Sequence, residues 1–182
     1  MKTLVAALGA VVLATASLVP AAAAAAAAPR ASAAAEKQLW AFSEKIALAL
    51  PGNGKDVLTL VSPRPDSVAM TNGQEPRRTS KQIAPSLFAS NAVVVMGADN
   101  RADSASFEVT GSCVSMASLR KQYARLIVMD YARGVNEHAV YTLGAQIGDA
   151  IVAYSFPASK LDCMSRVLIT PAKITKNKLG IE

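Results

Sequence analysis

Between residues 34 and 50 the apolar positions Leu39, Phe42, Ile46 and Leu50 recur at steps of three and four, with Glu36, Lys37, Glu44 and Lys45 between them. That period predicts one amphipathic helix with a single buried stripe. Pro51-Gly52-Asn53-Gly54 ends it. Residues 56–61 form a short, branched run bounded by turn residues, which predicts a strand. Residues 80–91 suit a short helical turn, with Pro85 against it. The continuous run Ala92-Val93-Val94-Val95-Met96 predicts a buried strand and the alternation over 106–110 a half-exposed one. Residues 115–123 suit a short helix, with Ser115 as N-cap and Leu119 and Tyr123 stacked at i and i+4. Further strands are expected over 125–131 and 163–170.

The sharpest local pattern is a hairpin centred on Gly148-Asp149, the two-residue signal of a type II′ turn, flanked by strand-like runs 141–147 and 150–156. Counting outward pairs Ile147 with Ala150, Ala145 with Val152, Leu143 with Tyr154 and Tyr141 with Phe156. Opposed residues share a face, so these eight form one apolar face. Thr142, Gly144, Gln146 and Ser155, with Ile151 and Ala153, form the other. A sheet with one apolar and one mixed face is covered by helices on one side only. The expected fold is therefore α+β and two-layered, an antiparallel sheet with the N-terminal helix and the short second helix packed on one face.

The first 33 residues follow a different pattern. Lys2 is the sole charge before Arg30, an apolar stretch runs from Leu4 to Leu13 and on through Leu18-Val19 to Pro20, and an alanine run follows to Ala28. Basic, apolar and small-residue regions in that order predict a signal peptide over residues 1–33, cut somewhere within 21–35, since A-x-A sites recur in almost every register. No cysteine follows the apolar stretch before Cys113, so no lipid anchor is expected. Residues 34–182 are then one exported domain, periplasmic or secreted.

Composition changes meaning once that segment is set aside, because 17 of the 36 alanines lie in the first 35 residues. From Pro29 on, 18 Lys+Arg stand against 13 Asp+Glu. This excess is dispersed, densest at Lys173, Lys176 and Lys178, and lacks interleaved aromatics. No nucleic-acid partner is expected, and at most a weak association with anionic membrane surfaces. Cys113 and Cys163, fifty residues apart, are expected to pair in an oxidising compartment.

The long loop from Pro63 to Ser80, with Arg64, Asp66, Arg77 and Arg78, is the expected contact segment. Catalytic patterns are missing from the sequence. His138 is the single histidine and lies beside Glu137 in a turn, Ser115-Met116-Ala117-Ser118 is not an S-x-x-K motif, and no G-x-S-x-G, Walker A or G-x-G-x-x-G run occurs. Residues 97–103 are oxygen-rich but lack an EF-hand ligand series, so a hairpin turn is expected there rather than a metal site. No cofactor is called for. The function expected from these features is a non-enzymatic binding protein of the bacterial cell envelope, such as a periplasmic partner, inhibitor or immunity-type protein, recognising an envelope or secreted protein. Two alternatives stand beside it. One is a small-molecule or lipid binder with a pocket between sheet and helix. The other is a hydrolase of envelope polymers using His138, Glu137 or the acids Asp99 and Asp103.

Overall fold

The computed structural model describes residues 28–61, 80–131 and 139–181. Among these, four helices and seven strands follow in the order α1 (Ala33–Ala49), α2 (Gly54–Val61), β1 (Ser80–Ala84), β2 (Leu87–Met96), β3 (Ala102–Gly111), α3 (Met116–Gln122), β4 (Ile127–Asp130), β5 (Val140–Ile147), β6 (Ala150–Pro157), β7 (Arg166–Pro171) and α4 (Ala172–Leu179). The strands form one antiparallel sheet in the order β1-β2-β3-β7-β6-β5-β4. The last strand in sequence thus lies at the centre. The fold is α+β, as the pattern of faces predicts.

Helix α1 starts where Ser32 accepts the Ala35 amide at 3.2 Å, and it turns Ala35, Leu39, Trp40, Ser43, Ile46 and Ala47 into the core. They meet the apolar face of the sheet, where Phe107, Val152, Tyr154, Val167 and Ile169 are all at most 1 % exposed. Phe42 packs edge-on to Phe107, with ring centroids 5.3 Å apart. Among the described residues no helix is long and apolar enough to cross a membrane.

The hairpin forms in the expected register, with Leu143 opposite Tyr154 and Thr142 opposite Ser155. Gly148 supplies the turn with φ +55°, a conformation that costs glycine nothing. Leu143→Ala is expected to lower stability in the lower half of the about 2–5 kcal/mol range for leucine truncation. Thr142 is half-buried and bonded to the Ser155 hydroxyl at 3.0 Å, so Thr142→Ala should cost about 1 kcal/mol. Urea melts of the oxidised variants that showed equal losses would contradict the register.

Two local expectations are corrected, and one element is added. Residues 56–61 are helical: they lie in α2, where Val57, Leu58 and Val61 turn into the core at steps of one and three, and the Asn53 side chain accepts the Lys55 amide at 3.0 Å. Six apolar-rich residues satisfy either period, and the helix turns all three side chains onto the sheet. Residues 80–91 are not a helical turn but the β1–β2 hairpin, with Pro85-Ser86 as its connection. Proline there gives up no ladder hydrogen bond. The tail beyond β7, read as no more than a lysine cluster, is helix α4. Thr170, on the mixed face, bonds Thr175 of α4 at 2.7 Å, so α4 covers one end of that face.

Candidate functional site

Side-chain chemistry gathers in three places. The first is a buried knot between α1, α3 and β6. Trp40 stands edge-on to Tyr154 and Tyr123, at 5.4 and 6.0 Å between centroids. The two phenol oxygens are 3.0 Å apart, and Tyr123 donates to Glu44 Oε1 at 3.0 Å. One turn earlier, Ser118 of α3 donates to Glu36 of α1 at 2.7 Å. Both phenols are held well above the ordinary tyrosine range, chiefly by burial, and the Glu44 carboxylate pushes in the same direction. They stay neutral donors, so this knot joins elements and supplies no phenolate nucleophile near neutrality.

A raised phenol pKa in the folded state has a defined consequence. The folded chain keeps protons that the unfolded chain releases from about pH 10 upward, so stability is intact below that pH and falls as pH climbs through it. Thermal melts from about pH 8 to about pH 12 should therefore show a decline beginning near 10. A Tyr123→Phe, Tyr154→Phe double variant should show a shallower decline, and an unchanged slope would remove the two phenols as its cause.

The second place is an open depression of about 450 Å³ at the end of the sheet, between the C-terminus of α1, the β2–β3 and β5–β6 turns and the start of α4. Leu50, Pro51, Ala102 and Pro171 line it, with Asp99, Asp103, Asp149, Arg101 and Lys173 around them. The hairpin turn expected over 97–103 occupies residues 97–101, with Ala102 and Asp103 already in β3, and Asp99 is engaged by Arg101 at 3.4 Å. Among the described residues no cluster of three or more metal-type side chains occurs.

The third place is the sheet face opposite α1. Following the register strand by strand, Ser80 opposes Ser90, Ser90 opposes Glu108, Glu108 opposes Arg166, Arg166 opposes Ser155, Ser155 opposes Thr142 and Thr142 opposes Asp130. One polar row therefore crosses all seven strands, on the side away from Tyr154. Ser80, Glu108, Arg166 and Asp130 are exposed. The row is fixed by short bonds: Asn91 donates to Glu108 Oε2 at 2.7 Å, Arg166 to the Ser106 hydroxyl at 3.2 Å, and Ser90 and Thr110 share a bond of 2.8 Å.

Cys113 and Cys163 are bonded, with Cα atoms 4.4 Å apart. Arg64, Asp66, Arg77 and Arg78, and also Glu137 and His138, lie outside the described residues. Of the polar row only the Thr142–Ser155 step has a sequence signal, the Gly-Asp turn that sets its register; the other neighbouring-strand steps have no such marker, and Glu108–Arg166 joins strands remote in sequence. The space between sheet and α1, where a ligand pocket was one alternative, is filled by Leu39, Trp40, Ile46 and Tyr154, each at most 3 % exposed. No family model, no curated protein and no solved structure matches the chain.

Proposed function

We propose that the chain is an exported, non-enzymatic binding protein of the bacterial cell envelope that engages a protein partner through the polar row on the sheet face opposite α1. The polar row carries this reading. Seven strands at about 4.8 Å spacing present a surface about 29 Å wide, the scale of the about 800 Å² per partner that a stable protein contact buries. Glu108 and Arg166 are already held by side-chain hydrogen bonds with Asn91 and Ser106, so less side-chain freedom is lost on docking. The basic-apolar-small N-terminal pattern and the disulfide support an extracytoplasmic location.

The test is capture of partners from an envelope extract by the mature domain, followed by charge reversal at Arg166→Glu and Glu108→Lys. Each change breaks one hydrogen bond and sets like charges opposite one another, so each variant should lose about 1–2 kcal/mol yet remain folded, while the captured partner is lost. Retention of the partner by both would place the contact elsewhere. The depression favours a second reading, because about 450 Å³ falls within the size range of small-ligand sites. A small molecule retained in native mass spectra and displaced by Asp149→Asn would support it.

A further inference from the structure

The residues just upstream of α1 are part of the fold. Cys113 donates its amide to the Pro29 carbonyl at 2.8 Å, and Ala31 donates to the Cys113 carbonyl at 2.8 Å, so residues 29–31 run parallel to the chain at the disulfide. Arg30 reaches Asp162, the neighbour of Cys163, at 3.8 Å, which sets this segment against both halves of the bridge. Ser32 then caps α1 through its side chain and accepts the Glu36 amide through its carbonyl at 2.9 Å. Ala31 packs on the core, and Ala35 is 4 % exposed.

From this we infer that the processing cut falls within the alanine run, after one of residues 20–28, and that the mature chain keeps Pro29 to Ala35. The inference rests on the export reading and narrows it. Sequence alone leaves cuts after Ala33 and Ala35 equally open, since Ala31-Ser32-Ala33 and Ala33-Ala34-Ala35 both offer small residues at the required positions. A cut at either would remove the α1 cap and set a new ammonium group at the positive end of the helix dipole. It would also leave the N–H and C=O of Cys113, a residue 5 % exposed, without their partners. A cut inside the alanine run removes none of these groups.

The measurement is N-terminal sequencing and intact mass of the full-length gene product recovered from the extracytoplasmic fraction, followed by amide exchange on the same material. A first residue from Ala21 to Pro29, with the Ala31 and Cys113 amides protected, is the expected result. A first residue from Arg30 to Glu36 overturns the inference and leaves export standing, as does rapid exchange at Ala31 in a chain that retains it. Recovery of Met1 defeats the export reading itself.

Discussion

Replacing Trp40 with alanine is expected to destabilise the protein by about 3–5 kcal/mol, the largest loss for any single side chain of α1. Trp40 is 3 % exposed and holds edge-on contacts with two tyrosine rings that belong to different elements, Tyr123 just past α3 and Tyr154 on β6. Truncation opens a cavity whose walls cannot close readily, because the Tyr154–Tyr123–Glu44 bonds hold them apart. The aromatic contacts add to the area term, at about 0.5–1.5 kcal/mol each. Trp40→Phe should recover roughly half of the loss by refilling part of the volume. Urea denaturation of the two variants checks both figures; a loss below about 1 kcal/mol for Trp40→Ala would mean that the knot does not hold α1 to the sheet.

The double variant Cys113→Ala, Cys163→Ala should lose about 4 kcal/mol, the chain-entropy value for closing a loop of about fifty residues. The bridge acts where local order cannot. Strands β3 and β7 are neighbours in the sheet but far apart in sequence, and the disulfide joins the segments just beyond their paired residues Glu108 and Arg166. Removing both cysteines leaves no free thiol to complicate the comparison. Melting of the native protein with and without reductant should reproduce the difference, and coincident curves would show that packing alone closes this end of the sheet.

What the sequence revealed tracks how local each determinant is. Helix α1 and the β5–β6 hairpin were legible because their signals, a 3.6-residue period and a Gly-Asp turn between alternating strands, lie within a few residues of what they fix. Val57, Leu58 and Val61 misled because a short apolar run meets strand and helix periods alike. Residues 80–91 mislead because a proline tolerated at the edge of a helix equally closes a hairpin, as Pro85 does here. Helix α4 hid behind its lysines: it buries only Ala172 and Thr175, yet Pro171 before it and Gly180 after it, at φ +67°, frame a helix by the usual asymmetry of start and stop residues. Of the polar row only the Thr142–Ser155 step was within reach, since Glu108 and Arg166 meet only once β7 has entered between β3 and β6.

That central position of β7 bears on when the chain can fold at all. Strands β1 to β3 and β4 to β6 are two separate halves until residues 166–171 pair with both, at Ala105–Glu108 on one side and Ala150–Ser155 on the other. A ribosome, or a membrane channel threaded from the N-terminus, releases this strand after the other six. The growing chain therefore has no complete hydrophobic layer for α1 to dock on until residues 166–171 have emerged. Long-range pairing of this kind slows folding, and under the proposed export the delay would keep the chain threadable until residues 166–171 have passed the pore.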